Sequence, residues 1–157
     1  MAETLTVGSS APAFAFTAAD GSPLTNATCK GRKVVLYFYP KDDTSGCTKE
    51  AIDFSRLRGE FTNCDATVIG VSPDSAASHE KFKAKHGLDI DLGSDEGTEL
   101  LQAFGVWAQK SMYGRKYMGV ERTTVLIGRD GTVSRLWPSV KVPGHAEEVL
   151  AAARALP

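Results

Sequence analysis

The 157-residue sequence predicts an α/β protein, a three-layer α/β/α sandwich on a mixed sheet with an N-terminal β-hairpin, and three features lead there. Apolar runs rich in β-branched residues alternate with amphipathic segments through the first two thirds of the chain. Two further strand-like runs then flank the turn pair Asp130-Gly131, and a helix-like segment closes the sequence. Alternation favours parallel strands with helices on the sheet faces, and a late hairpin adds antiparallel strands to the same sheet.

Taken in order, residues 13–17 and the Asp20-Gly21 turn read as the hairpin, punctuated by Pro12 and Pro23. Residues 33–39 form a continuous apolar run with β-branched and aromatic members, the pattern of a central strand covered on both faces. From Cys47 to about Thr62, the spacing of Ala51, Phe54, Leu57, Arg58 and Phe61 gives a helix with one apolar and one charged face, which Thr44 or Ser45 would cap. Residues 67–72 are the next strand, and residues 74–86 a second amphipathic helix that Gly87 ends in the left-handed conformation. A short strand is expected over 88–92 and a helix over 98–104. Strands over 123–127 and 132–137 meet around Asp130-Gly131, and a helix over 146–155 follows.

Hydrophobic residues make up 42% of the chain, charged residues 24%, and the formal net charge is −1, values of an ordinary globular protein. One domain over residues 1–157 is expected, with no basic footprint for nucleic acid. No apolar stretch approaches the ~18 residues of a membrane span. The start Met1-Ala2-Glu3-Thr4-Leu5 lacks the basic and apolar blocks of a signal peptide. Three cysteines, an odd number without a two-residue spacing, argue against a disulfide framework and a Cys-pair zinc site. A cytoplasmic protein without membrane partners is therefore expected. His79, His86 and His145 stand singly in polar surroundings and read as surface residues, so no metal site is assigned.

The chemistry concentrates at Cys47, which stands where an apolar strand stops, a turn intervenes and an amphipathic helix begins. A free cysteine titrates near ~8.5, but at a helix N-terminus beside a cation the value falls to roughly 3.5–7.5, and the thiolate is the nucleophile. Thr44, Ser45 and Gly46 before it, with Thr48, Lys49 and Glu50 after it, are unlike the surroundings of an inert packing cysteine. Pro40 fixes its own φ and disfavours a helical Tyr39, so it stops the strand, shapes the loop and shields the sulfur, while Gly46 permits close backbone approach. Phe38, Tyr39 and Trp107 read as core aromatics rather than as a substrate collar.

Pro40-x-x-x-Thr44-x-x-Cys47 after an apolar strand, together with Arg122-Thr123-Thr124-Val125-Leu126-Ile127, resembles the peroxiredoxins. The longer strings from Tyr37 to Glu50, Gly70-Val71-Ser72-Pro73-Asp74-Ser75 and Lys85-His86-Gly87-Leu88 are similar to the PrxQ branch, also called bacterioferritin comigratory proteins, over nearly the whole chain. This resemblance implies a thioredoxin-like fold and cofactor-free, thiol-dependent reduction of hydrogen peroxide and organic hydroperoxides in antioxidant defence. Cys47 then matches the peroxidatic cysteine, Thr44 its hydroxyl partner, Arg122 its guanidinium, and Glu50 the acid that steadies the arginine. A monomer is the state the subfamily implies.

One departure bears on recycling. Many PrxQ members carry a resolving cysteine five residues after the peroxidatic one, where this chain has Ile52, and others carry it in the next helix, around Lys83. Of the remaining cysteines, Cys64 would lie roughly 25 Å along a continuous helix from Cys47. Cys29 would lie more than ~20 Å away along the strand, and a disulfide needs Cα atoms within about 7 Å. No resolving cysteine is identified, and the chain reads as a one-cysteine enzyme recycled by thioredoxin, glutaredoxin with glutathione, or another thiol. Two other readings are a thioredoxin-like disulfide exchanger, for which paired thiols are lacking, and a redox sensor or holdase, which would show no turnover.

Overall fold

The computed structural model describes residues 5–18 and 20–157, so residues 1–4 of the N-terminal stretch and Ala19 beside the first turn lie outside the described residues. The chain runs β1 (Ala15–Thr17), β2 (Pro23–Thr25), α1 (Asn26–Cys29), β3 (Lys33–Phe38), α2 (Ser45–Arg56), α3 (Arg58–Asn63) and β4 (Ala66–Ser72). It continues through α4 (Ala76–His86), β5 (Asp91–Ser94), α5 (Glu99–Ala103), β6 (Trp107–Met112), β7 (Arg115–Val120), β8 (Thr123–Ile127), β9 (Val133–Trp137) and α6 (His145–Ala155). Among the described residues the main sheet has five strands in the order β5-β4-β3-β8-β9. The β3–β4 and β4–β5 pairs are parallel and the β3–β8 and β8–β9 pairs antiparallel, so the sheet is mixed. Strands β1 and β2 make the expected N-terminal ribbon.

Every residue of β3 is buried, because both sheet faces are covered. On one face Val35, Tyr37 and Tyr39 join Phe54 of α2, Phe61 of α3, Phe82 of α4 and Val149 of α6. On the other, Val34, Leu36 and Phe38 join Cys29 of α1, Leu101 of α5 and Phe14. Phe38 and Tyr39 are thus core residues, as expected, whereas Trp107 is only partly buried.

The structure departs from the expected elements at several points. The helix expected from Cys47 to Thr62 is broken at Leu57, whose N–H is shared between the carbonyls of Asp53 and Phe54 and whose ψ of 3° leaves the helical range. The strand expected over 88–92 starts at Asp91, because Leu88 and Ile90 are already buried in the loop that leaves the left-handed Gly87. The β6–β7 ribbon was not foreseen: its turn is Tyr113-Gly114, both at positive φ, and tyrosine is outside the Asn-Gly or Asp-Gly signature of such turns. His79 and His145 are buried, at 4% and 6% exposure, rather than on the surface. His79 lies three residues before Phe82 and His145 four before Val149, so helical spacing turns both inward.

Helix α2 is seated on the sheet through one aromatic stack. Tyr37 lies 4.6 Å from Phe54, centroid to centroid, and its ring covers Gly70, its cross-strand partner in β4. A Cβ on Gly70 would sit 2.6 Å from that ring and 2.9 Å from Leu92, with no room for the buried tyrosine to swing away. Gly70→Ala is expected to destabilise the fold by about 1–3 kcal/mol through overpacking. Urea unfolding measures this, and a change below about 0.5 kcal/mol would show that the ring yields.

Candidate active site

At the end of β3 the Tyr39 N–H donates to the Val71 carbonyl at 3.0 Å, and at Pro40 the chain turns away from the sheet. Asp43 adopts a φ of 59°, and Thr44, extended at φ −96° and ψ 157°, is the N-cap of α2. The first internal bond of the helix runs from Thr48 N–H to the Thr44 carbonyl at 2.8 Å. The N–H groups of Ser45, Gly46 and Cys47 therefore precede it at the positive end of the helix dipole. Cys47 lies in this first turn and is 1% exposed.

Arg122 reaches the sulfur from the sheet. Pairing of Phe38 with Thr123 sets the start of β8 beside the end of β3, and Arg122 immediately precedes it. Its Nη2 donates to Cys47 Sγ at 3.2 Å, while its Nη1 donates to Glu50 Oε1 at 2.6 Å. Glu50 stands three residues after Cys47 in α2, so both side chains lie on one helix face. Gly46 gives the guanidinium room, because a Cβ there would be 3.3 Å from Nη2.

The electrostatics of this trio are unequal. Glu50 is 1% exposed, and burial pushes its carboxyl up to about 7 against the opposing pull of Arg122. Its second oxygen, Oε2, is buried without a hydrogen-bond partner among the described residues. Arg122 also loses solvation, but the charges of Glu50 and Cys47 outweigh that loss and hold the guanidinium above its ordinary value.

Of the residues singled out in the sequence, Cys47, Glu50, Arg122 and Gly46 converge. The expected cap does not form: the Thr44 hydroxyl donates to the Lys41 carbonyl at 3.0 Å and makes no side-chain cap bond. That arrangement leaves the lone pairs of Thr44 Oγ1 free to accept. Pro40 is half-buried in the loop. Cys29 and Cys64 both precede the strands, near the Lys33–Ala66 end of the sheet, whereas Cys47 follows the Phe38–Val71 end. Six residues of strand, about 20 Å, separate these poles. All three cysteines are free thiols.

A buried group missed in the sequence lies behind the loop, where Asp42 accepts from Tyr39 at 2.6 Å and from Ser78 at 2.8 Å, and contacts His79 Nδ1 at 2.8 Å. Inward spacing of His79 was the available signal. His145 Nε2 contacts Thr124 Oγ1 at 2.7 Å, and burial holds this histidine below its ordinary value. Among the described residues no group of three His, Cys, Asp or Glu side chains is arranged to hold a metal, and no helix is long and apolar enough to cross a membrane.

Comparison with known proteins identifies the family. The AhpC/TSA family model matches residues 7–136. The chain is 44% identical over 147 residues to peroxiredoxin Bcp of Bacillus subtilis, covering 94% of each protein. Among solved structures it is similar to the bacterioferritin comigratory protein of Xanthomonas campestris, with a TM-score of 0.86, 41% identity and coverage of 96% and 98%. It is also similar to PrxQ of Xylella fastidiosa, with a TM-score of 0.89, 38% identity and 98% of each chain covered. The thioredoxin-like fold implied by the sequence is thus present, and the chain belongs to the AhpC/TSA family as a peroxiredoxin of the Bcp/PrxQ branch, a thiol-dependent peroxidase.

Proposed function

We propose that Cys47 is the peroxide-attacking thiol of a one-cysteine peroxidase and that Thr44 and Arg122 act on the peroxide with it. The observation that carries this reading is the Arg122 fork, one arm 3.2 Å from the Cys47 sulfur and the other 2.6 Å from Glu50. The thiolate attacks one oxygen of the peroxide, the S–O bond forms as the O–O bond breaks, and the leaving oxygen takes a proton to become water or an alcohol. Negative charge moves from sulfur to oxygen along that path. Donors that follow it, Arg122 and the N–H groups at the start of α2, favour the transition state over the ground state. Thr44, whose proton is directed to Lys41, accepts from the peroxide hydroxyl and orients it.

Hydrogen peroxide and organic hydroperoxides are the proposed substrates; the similar Xanthomonas campestris protein is described by its alkyl peroxide reduction. Recycling is assigned to an outside thiol, because Cys29 and Cys64 lie at the far pole of the sheet and this chain has no cysteine at Ile52 or around Lys83, where the resemblance puts a resolving cysteine. That thiol attacks the sulfenic sulfur, releasing water and leaving a mixed disulfide, and a second thiol then frees Cys47. Thioredoxin, glutaredoxin with glutathione, or a small thiol fits this role. Three free thiols suit a reducing cytoplasm, where the whole 157-residue chain acts as one monomeric domain.

Mass spectrometry after one equivalent of peroxide tests the one-cysteine reading. A gain of one oxygen, mapped to Cys47 and absent from Cys47→Ser, is expected, with Cys29→Ser and Cys64→Ser oxidised at the wild-type rate. Loss of two hydrogens with a Cys47-containing disulfide would overturn it.

The buried Glu50 carboxyl makes stability depend on pH. Its folded value of about 7 lies above the ordinary carboxylate range, so its contribution to folding is full at acidic pH and lost as pH rises through about 7. Glu50→Gln removes that loss. The stability difference, variant minus wild type, is expected to become more favourable between pH 5 and pH 8, by on the order of 2 kcal/mol at ~1.4 kcal/mol per unit. A difference independent of pH in urea unfolding would contradict this account of Glu50.

A further inference from the structure

A buried polar cluster joins the loop ahead of Cys47 to the ends of three other elements. Asp42 is 7% exposed, and its carboxylate accepts from Tyr39 Oη at 2.6 Å and Ser78 Oγ at 2.8 Å while meeting His79 Nδ1 at 2.8 Å. The opposite ring nitrogen of His79, Nε2, lies 3.1 Å from the Gly93 carbonyl of β5. The two contacts engage both edges of the ring, so His79 bridges Asp42 to β5. The Asp42 N–H donates to Asp74 Oδ2 at 2.8 Å, and Asp74 in turn accepts from Ser72 Oγ at 2.7 Å at the end of β4. Burial opposes the charge of Asp42, yet the bonds from His79, Tyr39 and Ser78 hold its carboxyl below the ordinary range.

We propose that Asp42 and His79 are positioning residues for Cys47, a buried clasp that ties the Pro40–Thr44 loop to α4 and β5 and so fixes the thiol against Arg122. This rests on the reading of Cys47 as the peroxide-attacking residue. The loop is the link between β3 and α2, and Cys47 lies five residues beyond Asp42, so freedom gained at Asp42 passes directly to the first turn of α2. Next to it, Asp43 binds Lys85 at 2.6 Å and His86 at 2.8 Å, but the Asp43 and Lys85 side chains are 40% and 62% exposed. Exposed pairs contribute little, whereas removing one partner of a buried pair leaves an uncompensated group. The clasp is therefore assigned to Asp42 and not to Asp43.

The test compares Asp42→Asn and His79→Gln with Asp43→Asn, which keeps a residue tolerant of the left-handed backbone. Three readouts are followed: peptide-resolved alkylation of reduced Cys47 by a maleimide, single-turnover oxidation by hydrogen peroxide, and amide exchange across residues 40–48. In Asp42→Asn and His79→Gln, Cys47 should alkylate at least about tenfold faster and oxidise at least about tenfold slower, the scale of a lost charged hydrogen bond. Amide exchange should rise locally while β3 and β8 stay protected, and buried Cys29 should alkylate no faster, which separates loop release from general unfolding. Asp43→Asn should stay within about twofold of wild type on all three. Folded Asp42→Asn and His79→Gln variants that alkylate and oxidise within about twofold of wild type would overturn the proposal. If either variant fails to fold, Tyr39→Phe decides: removal of one hydroxyl from Asp42 should still speed Cys47 alkylation several-fold, and an unchanged rate overturns the clasp. Should peroxide leave wild-type Cys47 unoxidised, the reading of Cys47 fails by itself, and alkylation and exchange still judge the clasp.

Discussion

One guanidinium divided between a carboxylate and a sulfur is the contact on which this site depends. Arg122 is fixed at one arm by Glu50, which burial makes a reluctant anion, and presents the other arm to Cys47. Neither contact would hold alone. A buried Glu50 without Arg122 would lose its charge, and an Arg122 without Glu50 would be free to turn toward solvent, since its side chain is 18% exposed. The trio is thus a single electrostatic unit drawn from two elements distant in sequence, the start of α2 and the start of β8.

The sheet exists in this form to make that meeting possible. Antiparallel pairing of β3 with β8 brings the strand end that leads to Cys47 next to the strand start that carries Arg122. The Tyr37–Phe54 stack over Gly70 then fixes α2 against the sheet, with Cys47 and Glu50 turned toward the arginine. Packing on both faces of β3 supplies the rigidity, and the polar groups Asp42, His79 and Tyr39 meet where the strands end. Peroxide chemistry of this kind needs donors already in place, because reorganising them during the reaction would cost the stabilisation they give.

Much of this was legible in the sequence, and the parts that were not share physical causes. The buried strand at 33–39, the helix after Cys47, the left-handed Gly87 and the Asp130-Gly131 hairpin each announced themselves by period or by turn chemistry. Cys47, Arg122 and Glu50 were visible because strand, turn and helix start carry distinct residue types and because the motif matched a known family. The Tyr113-Gly114 ribbon escaped because its turn uses a side chain not typical of positive φ, and the short α1 escaped because four residues give no periodicity. The inward turn of His79 and His145 is written in their spacing to Phe82 and Val149 and is masked by their polar sequence neighbours. The Thr44 hydroxyl bonds the loop carbonyl of Lys41 instead of the helix N–H groups, a competition between two local acceptor and donor sets that residue types alone do not decide.

A double-mutant cycle on the second-order rate of peroxide consumption measures the shared guanidinium most directly. If Arg122 is the route by which Glu50 acts, Arg122→Met slows the reaction by about 10²-fold or more and Glu50→Gln by about tenfold, and adding Glu50→Gln to Arg122→Met changes the rate by less than about threefold. If Glu50→Gln costs the same factor whether or not the arginine is present, the two residues act independently and the single electrostatic unit described above does not exist.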